Sequence, residues 1–526
     1  MKKRILPIGI QDFRDLRERD MVYVDKTEHI HRLITEGSYY FFSRPRRFGK
    51  SLTVSTLKEI FSGSKELFKG LWIEDNWDWS KTSPVIHMSF ARMSYQGLGL
   101  EKAIKLELED VAKKYDIELS QDDIKYNFEE LLKKLDAKHG KIVLLIDEYD
   151  KPIIDYLENH VIDKAKEHQR IMKTFYSVLK DASPHLRLVF ITGVSKFSKV
   201  SIFSDLNHLK DITLNPNFSV LTGYTQKELE SNFADYILAT EQQLNISHEH
   251  LLELMRTWYN GFSWDGVNKV YNPFGTLNFL DQKIFQNFWF TTGTPTFLAE
   301  LMKKQVVFEF DNLKIDSGLL DKYDLDNLEL APLLFQTGYL TVKERDVMTG
   351  DMVLDYPNKE VRESMYRFVL DYLTRTPPES STGMTVKDLA KAFHSNDLDK
   401  VKIILDTLFA DLSYNLYEPD PRRSERFYHS VIHLMFKYLG VHVQSEVHTS
   451  HGRADSVVQT ATHIYVFEFK YNKSGKTAFD QIIKKGYADT YRASGKNIIG
   501  IGVNFSEKKK AITGWVVKDL VENDRI

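Results

Sequence analysis

Short apolar runs alternate with stretches of helical periodicity in the N-terminal part of the chain. The runs are bounded by polar or turn residues, which is typical of buried strands. They fall at Tyr39–Phe42, Val85–Phe90, Ile142–Ile146 and Leu188–Ile191. Between them, Ser51–Phe61 and Gln169–Leu179 have the apolar spacing of helices. Strands that alternate with helices predict a doubly wound, mostly parallel sheet, and hence an α/β domain.

The alternation ends near Thr225, where helical stretches separated by Gly, Asn and Pro joints replace it. These stretches are Gln226–Leu238, His248–Trp258, Thr296–Lys303 and Glu360–Arg375. The run Thr376–Gly383 is rich in Pro, Ser and Thr and is the best linker candidate. A later helix, Glu425–Leu439, leads into strands and turns. We therefore predict four parts, namely an α/β domain over 1–222, a helical middle over 223–375, a linker and helical connector over 376–420, and a compact α/β domain over 421–526.

The amino-acid composition excludes several kinds of functional site. The 526 residues include no cysteine, which excludes disulfide frameworks, thiolate zinc sites, iron–sulfur clusters and cysteine nucleophiles. The 71 Lys and Arg nearly balance the 74 Asp and Glu, so nucleic acid is not expected to coat the whole chain, while local basic clefts remain open. The start of the chain lacks a signal-peptide pattern, and no run approaches the roughly 20 apolar residues of a membrane helix. We therefore expect a soluble, cytoplasmic, prokaryotic protein.

A strand, a Gly-Lys-Ser turn and a helix form the first candidate site. Tyr39–Ser43 runs into a loop that ends in Gly49-Lys50-Ser51. In the P-loop pattern GxxxxGK(S/T), backbone N–H groups surround phosphates, the Lys binds the β and γ phosphates, and the hydroxyl binds Mg²⁺. Arg44 stands where the strict pattern requires its first Gly. The segment alone therefore leaves open a helix N-terminus that binds nothing.

An apolar strand that ends in two acids favours the nucleotide interpretation. Ile142–Ile146 leads into Asp147 and Glu148, the arrangement of a Walker B strand. There Asp147 would hold Mg²⁺ through water and Glu148 would polarise the attacking water. The two motifs in this order predict ATP or GTP binding. Thr192, after the strand Leu188–Ile191, stands where such ATPases carry a sensor of the γ-phosphate, although capping of a strand end explains it equally well.

The predicted nucleotide site combines the loop with the polar ends of two later strands, and its cofactors are ATP and Mg²⁺. Its cofactor-binding residues are Arg46, Arg47, Phe48, Gly49, Lys50, Ser51, Leu52, Asp147 and Thr192. Ser51 and Asp147 are the predicted metal ligands, and Glu148 is the predicted catalytic residue. Arg46 and Arg47 could equally be solvated or pair with acidic side chains of the middle region, and no arginine finger is assigned.

Several motifs of the chain resemble those of a prokaryotic family. The motifs are Leu6–Phe13, Tyr23–Thr27, Arg44–Ser51, Ile146–Pro152, Thr222–Thr225, Trp258–Phe262 and Thr292–Phe297. Members of this family join an AAA-ATPase-like domain to a C-terminal PD-(D/E)XK nuclease-like domain, and the likeness covers nearly the whole chain. The resemblance implies nucleotide binding on a P-loop NTPase sheet of the ASCE/AAA type, with Arg44 typical of the family.

The same resemblance offers candidates for contacts with the nucleoside. In related ATPases the segment ahead of the first strand lies near the adenine. Asp25 and the turn Gly9–Gln11 are therefore candidates for base or ribose contacts. The alternative for Asp25 is a structural one, in which it or Thr27 caps the helix that follows.

A second candidate site lies near the C-terminus. Asp455 precedes a hairpin-like segment, and the strand Tyr465–Tyr471 carries Glu468 and Lys470. Alternate side chains of a strand share a face, so Glu468 and Lys470 lie together and Asp455 can face Glu468 from the neighbouring strand. Two carboxylates can hold Mg²⁺, and a Lys beside them can orient the water that attacks a phosphodiester. An ordinary half-exposed strand with a same-face ion pair is the alternative.

This spacing is the D…ExK signature of the PD-(D/E)XK, or restriction-endonuclease-like, α/β fold. Asp455, Glu468 and Lys470 are predicted to be catalytic, and the two acids are also predicted metal ligands. Gln481 is the remaining predicted catalytic residue, because many members of that superfamily carry a supporting Gln on the following helix. Glu446 is a candidate auxiliary acid, and Ala454 replaces the nominal proline.

Together the two sites predict a protein that binds and hydrolyses ATP and that has a Mg²⁺-dependent nuclease-like domain. This domain is expected to act on nucleic acid, DNA in preference to RNA, and to be gated by the nucleotide. The alternative is a nucleotide-dependent switch or scaffold whose nuclease-like domain is inactive and only binds. Basic clusters could neutralise phosphates, although such runs are more often solvated faces. The clusters are Arg422, Arg423, Arg426, Lys484, Lys485 and Lys508–Lys510. Homo-oligomerisation is left open.

Overall fold

The computed structural model describes residues 4–520 apart from several short segments. These segments are 121, 159–160, 197–201, 204–205, 207, 290–297, 299–300, 303–309, 322–327, 375–381, 413–430, 441–443, 448–454, 507 and 510. Some predicted features fall outside the described residues, namely Thr292–Phe297, most of Thr296–Lys303, most of the linker, Arg422, Arg423, Arg426, Ala454 and Lys510. The chain forms two compact units, residues 1–298 with 310–361 and residues 299–309 with 362–526. The four-part division stays a prediction.

A parallel five-stranded sheet organises the first unit, which confirms the predicted α/β fold. Its strands are β1 (Tyr39–Ser43), β2 (Val85–Ser89), β3 (Ile142–Asp147), β4 (Leu186–Gly193) and β5 (Lys210–Asp211). They lie in the order β2-β3-β4-β1-β5, and every pair is parallel. Along the chain β2 comes between the two nucleotide motifs, as predicted. In the sheet, however, it is β4 that separates β1 from β3, so the strand carrying Thr192 lies between the two motifs.

Helices cover both faces of this sheet. They are α1 (Phe13–Glu18), α2 (Thr27–Glu36), α3 (Lys50–Phe61), α4 (Tyr95–Leu98), α5 (Leu100–Lys114), α6 (Ile124–His139), α7 (Lys151–Glu158) and α8 (Ile162–Tyr176). Successive side chains of a strand point to opposite faces. Accordingly, Tyr40 and Phe42 join the core that contains Leu57 of α3. Phe41 joins the other core, with Phe128 of α6.

The rest of the first unit is mainly helical. It contains α9 (Gln226–Asn232), α10 (Ala234–Leu244), α11 (His248–Tyr259), α12 (Pro273–Gln282) and α13 (Leu330–Thr337). The stretch predicted as a single helix, Gln226–Leu238, is broken at Phe233 into α9 and α10. A small antiparallel sheet that the sequence did not predict accompanies these helices. It consists of β6 (Leu313–Ile315), β7 (Thr341–Arg345) and β8 (Met352–Asp355), in the order β6-β8-β7.

The second unit contains a mixed five-stranded sheet with helices. The helices are α14 (Lys359–Thr374), which begins in the first unit, α15 (Thr382–His394), α16 (Leu398–Leu412) and α17 (Gly475–Lys485). Residues 431–439 are also helical. The strands are β9 (Gln444–Val447), β10 (Ser456–Gln459), β11 (His463–Tyr471), β12 (Asn497–Ser506) and β13 (Ala511–Asp519). They lie in the order β13-β12-β11-β10-β9, with only β11 and β12 parallel.

This mixed sheet confirms the predicted α/β class of the C-terminal part. On one face of β11, Phe467 and Phe469 pack against Phe436, with ring centroids 5.2 and 5.7 Å apart. On the other face, Val466 shares a core with Phe479 of α17. Among the described residues, no helix is long and apolar enough to cross a membrane.

Candidate functional site

The predicted phosphate loop connects β1 to α3. Gly49 is the residue before α3 and has a φ of 89°, in the left-handed region that glycine adopts without steric cost. Arg47 in the same loop and Glu148 after β3 also have positive φ, 68° and 55°. Residues other than glycine rarely adopt this conformation, and it is enriched at functional sites. Both segments that the sequence singled out thus contain a non-glycine residue in this conformation, which seven other described residues also adopt.

Lys50 lies at the centre of the loop and is only 5% exposed. Its ammonium group donates hydrogen bonds to the carbonyl oxygens of Arg44 and Pro45, at 2.9 and 3.0 Å. Burial lowers the pKa of Lys50, while the charges of Glu148 and Asp147 oppose that effect. Phosphate oxygens are stronger acceptors for an ammonium than neutral carbonyls are. The loop therefore holds Lys50 in a position from which it can transfer to a phosphate.

Arg44 has a structural role. It is 1% exposed, and its guanidinium donates to the carbonyl oxygens of Ser43, Thr213 and Phe218 at 2.9, 2.8 and 3.3 Å. The group also stacks 3.8 Å above the ring of Trp264, and burial lowers the pKa of Arg44 to about 9. Arg44 therefore fixes the start of the loop rather than facing a ligand, which explains why the strict first Gly is dispensable here.

Aromatic residues from the helical part of the first unit support the rest of the loop. The indole N–H of Trp289 donates to the carbonyl oxygen of Arg46 at 3.0 Å. Phe48 is 1% exposed, and its ring centroid lies 4.8 Å from that of Phe262 and 5.5 Å from that of Trp264. The sequence did not assign these contacts, because the supporting residues are more than two hundred positions away and no local pattern marks them.

The acidic end of β3 lies beside the loop. Asp147 is buried, and its Oδ1 accepts a hydrogen bond from the hydroxyl of Thr192 at the end of β4, at 2.5 Å. Burial raises the pKa of Glu148, and the charge of Lys50 lowers it. Carboxyl ends of parallel strands meet at one edge of a sheet, which is where α/β proteins bind ligands. The structure thus brings Lys50, Asp147, Glu148 and Thr192 to one edge.

A cavity of about 370 Å³ opens at this edge. The predicted residues Arg46, Arg47, Phe48, Gly49, Lys50, Ser51, Leu52 and Glu148 all line it. Asp147 and Thr192, which are bonded to each other, do not. The remaining wall comes from residues around 7–11, 22–26, 221–224 and 273–277 and is largely apolar. A cationic loop at one end and an apolar wall at the other match the phosphates and the base of a nucleotide.

A partly buried ion pair fixes part of this wall. The ammonium group of Lys26 donates to both carboxylate oxygens of Glu228 at 2.7 Å and to the carbonyl oxygen of Val220 at 2.9 Å. Glu228 in turn accepts from the backbone N–H of Thr225 in the capping box of α9. The sequence did not predict this pair, because neither residue stands in a pattern that specifies a partner two hundred positions away.

The residues that the sequence offered for contacts with the nucleoside divide into two groups. Gly9, Ile10 and Gln11 line the cavity. Asp25 instead accepts hydrogen bonds from the backbone N–H and the hydroxyl of Thr27 and from the backbone N–H of Trp72, at 2.8, 2.6 and 2.7 Å. One oxygen is thus used at the start of α2 and the other by Trp72, which favours the structural alternative for Asp25.

In the second unit, three of the predicted nuclease residues come together, Glu468 and Lys470 on β11 and Asp455 directly before β10. Lys470 donates to Glu468 Oε1 at 2.7 Å, and Asp455 Oδ2 accepts from the backbone N–H of Phe469 at 2.9 Å. Glu468 is 1% exposed, and burial, followed by the charge of Asp455, raises its pKa to about 7. Its Oε2 is buried and has no hydrogen-bond partner among the described residues. An unsatisfied carboxylate oxygen beside a second carboxylate fits a bound divalent cation.

The helix α17 starts close to this pair of acids. Gly502 on β12 lies opposite Glu468, and a Cβ at that position would collide with the carbonyl oxygen of Gly475. Glycine is therefore needed for the close approach. On α17, the side chain of Gln481 donates to the hydroxyl of Tyr487 at 3.2 Å. This bond involves none of the three charged residues, and the supporting role of Gln481 stays a prediction.

Other candidates surround this site. Glu446 on β9 pairs in register with Val457 on β10. Lys484 and Lys485 form the last turn of α17, and Lys508 and Lys509 lie in the turn between β12 and β13. The described residues contain no group of three or more His, Asp or Glu side chains arranged to hold a metal ion. Asp455 and Glu468 stay predicted metal ligands.

Comparisons with known proteins identify the two parts of the chain in which the candidate sites lie. A family model described as "Predicted AAA-ATPase" matches residues 7–203, and a model of the PD-(D/E)XK nuclease superfamily matches residues 423–515. The chain is 38% identical, over 99% of its length and 100% of the relative's, to the "Uncharacterized protein in vnfD 5'region" of Azotobacter chroococcum mcd 1. No solved structure matches the chain. The chain therefore belongs to the family that joins an AAA-ATPase-like N-terminal domain to a C-terminal domain of the PD-(D/E)XK nuclease superfamily.

Proposed function

We propose that the first unit binds and hydrolyses ATP, and that the second unit is a Mg²⁺-dependent nuclease whose action on DNA is gated by the nucleotide. The observation that carries the first half is the buried Lys50, held by loop carbonyls at the wall of a 370 Å³ cavity. The unsatisfied oxygen of Glu468, next to Asp455 and Lys470, supports the second half.

In the nucleotide site, the loop residues Arg46 to Leu52 hold the phosphates through backbone N–H groups and the Lys50 ammonium. Ser51 and Asp147 are the residues that would hold Mg²⁺, which supplies charge neutralisation on the phosphates. Glu148 orients the attacking water and accepts its proton. Thr192, bonded to Asp147, keeps that carboxylate in place and acts as the polar sensor between the two motif strands.

In the nuclease site, Asp455 and Glu468 would hold Mg²⁺, which lowers the pKa of a bound water. Lys470 orients the attacking water and neutralises charge that develops on the phosphate. Gln481 supports the substrate from α17, and Lys484 and Lys485 neutralise nucleic-acid phosphates. The ion pair of Lys470 with Glu468 also suits the alternative, a switch or scaffold in which the pair is only structural and the nuclease fold only binds.

One set of variants tests both halves of the proposal. Calorimetry with Mg²⁺ and ATP should give Lys50→Ala an affinity about tenfold or more below that of the parent chain, because charged hydrogen bonds contribute about 1.5–3 kcal/mol. Lys58→Ala, in the same helix but away from the cavity, is the matched control.

Titration of Mg²⁺ or Mn²⁺ with single- and double-stranded DNA and RNA should give cleavage that Asp455→Ala and Lys470→Ala abolish, while Lys473→Ala, with an exposed side chain, retains it.

The outcomes separate the candidates. Absence of metal-dependent cleavage, with intact ATP binding, favours the switch or scaffold. Cleavage that survives both Asp455→Ala and Lys470→Ala places the reaction elsewhere. Equal ATP affinity of Lys50→Ala and Lys58→Ala contradicts the nucleotide site itself.

A further inference from the structure

Gln11 lines the nucleotide cavity, and the proposed function gives its side chain no role. The side chain is exposed, and no hydrogen bond within the described residues involves its amide. A carboxamide in a cavity with a largely apolar wall is a group that can bind a polar edge of a ligand. Its two N–H bonds and its acceptor oxygen are all available for that purpose.

Other polar side chains of the same cavity are bonded within the protein. Lys26 is paired with Glu228, as described. The hydroxyl of Thr56 donates to the carbonyl oxygen of Leu52 in α3, at 2.8 Å. A ligand that used either group would have to compete with an existing hydrogen bond. The amide of Gln11 requires no such exchange.

The backbone on both sides of Gln11 is held in place. The turn before it is closed by a hydrogen bond from the backbone N–H of Ile10 to the carbonyl oxygen of Pro7, at 3.3 Å. After it, the backbone N–H of Phe13 donates to the hydroxyl oxygen of Ser55 at 2.9 Å. Only the side-chain torsions of Gln11 therefore have to be ordered when a ligand binds, which keeps the entropic cost of the contact small.

The contact with Ser55 also locates this segment along α3. Ser55 lies five residues after Lys50, which corresponds to about 7.5 Å along a helix axis. The loop around Lys50 is the part of the cavity proposed to hold the β and γ phosphates. The segment that carries Gln11 is thus held beside the second turn of α3, away from those phosphates and in the part of the cavity left for the base.

An aromatic ring from α12 lines the same cavity. Phe274 lies in the first turn of that helix, where the side chain of Asn272 accepts a hydrogen bond from the backbone N–H of Gly275 at 2.8 Å. Every nucleobase has a π-face that can stack on such a ring, so stacking provides affinity without sequence preference. Phe274 can therefore hold a base, but it cannot identify one.

The amide of Gln11 can identify a base by its edge. Adenine presents the N6 amino donor beside the N7 acceptor, and a Gln side chain can bind both atoms at once. Guanine presents two acceptors, O6 and N7, in the same places. The oxygen of the amide then has no donor to accept from, so one of the two hydrogen bonds is lost with guanine.

We propose that Gln11 selects adenine, through paired hydrogen bonds of its side-chain amide with N6 and N7 of a base stacked on Phe274. The inference rests on the proposed nucleotide site and names the residue that decides its substrate. The phosphate loop cannot make this choice, because ATP and GTP carry the same triphosphate. Gln11 makes ATP the substrate in preference to GTP.

Calorimetric titration of the full chain with Mg²⁺ and either ATP, GTP or tripolyphosphate tests the proposal. The parent chain should bind ATP at least about fivefold more tightly than GTP, the discrimination of one good paired contact. Gln11→Ala should lose most of this preference through weaker ATP binding, with the affinity for tripolyphosphate unchanged. Gln243→Ala, exposed on α10 and outside the cavity, is the matched control and should bind all three as the parent chain does.

Two further measurements separate recognition of the base edge from stacking. The nucleotide 7-deaza-ATP lacks the N7 acceptor, so the parent chain should bind it more weakly than ATP, whereas Gln11→Ala should bind the two equally. Phe274→Leu removes the aromatic face and should weaken ATP and GTP by a similar factor, which leaves the ratio of their affinities as in the parent chain.

The possible failures are distinguishable. Equal affinities of the parent chain for ATP and GTP, or a preference for ATP that persists in Gln11→Ala, overturn this inference and leave the nucleotide site in place. Equal losses of ATP and tripolyphosphate affinity in Gln11→Ala also overturn it, because Gln11 then only maintains the shape of the cavity. A chain that binds neither ATP nor tripolyphosphate contradicts the proposed function first, and the selection of adenine with it.

Discussion

The three arginines of the loop have different environments, although their side chains are identical. Arg44 is buried, binds three carbonyl oxygens and stacks on Trp264. Arg46 and Arg47 line the nucleotide cavity, and Arg47 lies 5.0 Å from the ring of Phe274. The sequence predicted a cationic loop, but it could not separate these roles, because the residues that bury Arg44 belong to distant segments.

Glu360 is a second residue whose role only the structure reveals. It is fully buried, accepts a hydrogen bond from the backbone N–H of Trp289 at 2.6 Å, and has a second oxygen without a partner among the described residues. Burial raises the pKa of Glu360 from about 4.5 to about 8. The carboxyl is therefore neutral in the folded chain at pH 7, where an unfolded chain carries it ionised.

This difference predicts a pH dependence of stability. Between pH 4.5 and 8 the folded chain binds the Glu360 proton and the unfolded chain does not. The contribution of Glu360 to the free energy of unfolding is therefore full below about pH 4.5 and is lost as pH rises towards 8. The loss is about 1.4 kcal/mol per pH unit in that window. Glu360→Gln is neutral in both states and should lose less stability from pH 6 to 8, which thermal unfolding midpoints at the two pH values measure. Parallel pH curves for the two chains would contradict the assignment.

Among the secondary-structure elements, strong apolar runs were predictable and short polar strands were not. β1, β3 and β4 follow from buried runs that persist for several residues. β5 consists only of Lys210–Asp211, and it exists because its backbone pairs with β1. The small sheet β6-β8-β7 was likewise missed, since its strands are short and depend on one another rather than on a local pattern.

The phosphate loop is supported by residues from distant segments of the first unit, and a substitution at Trp289 tests this support. Trp289→Phe keeps the ring but removes the hydrogen bond to the carbonyl oxygen of Arg46, so ATP affinity should fall about twofold to tenfold, the effect of one such bond. Trp258→Phe is the control, because Trp258 packs on Phe285 and away from the loop. Calorimetric affinities that are the same for both variants would show that the loop needs no support from Trp289.

At the scale of the whole molecule, two chemically different sites share one chain. The nucleotide residues lie in the first unit and the nuclease-like residues in the second, and α14 begins in the first unit and continues into the second. The sequence predicted which residues would meet within each site, since parallel strand ends and alternate strand positions follow simple geometry. It gave no means of deciding how the state of one site reaches the other.

Gating by the nucleotide is tested on the full chain. We expect ATP to change the rate of nucleic-acid cleavage by the parent chain and by Lys58→Ala, and to have no effect on Lys50→Ala, because that variant lacks the phosphate ligand. Cleavage rates with and without ATP, on the same substrate and metal, measure this effect. If Lys50→Ala cleaves like the parent chain in both conditions, the two sites act independently.

The contacts of the loop with two indole rings have an optical consequence. The chain contains seven tryptophans, and two of them touch the loop, Trp264 through the Arg44 guanidinium and Trp289 through the Arg46 carbonyl. When phosphate draws Lys50 away from the carbonyl oxygens of Arg44 and Pro45, the local electric field at both rings changes. Nucleotide occupancy should therefore alter the intrinsic fluorescence of the protein, so that binding can be followed in real time without any attached dye.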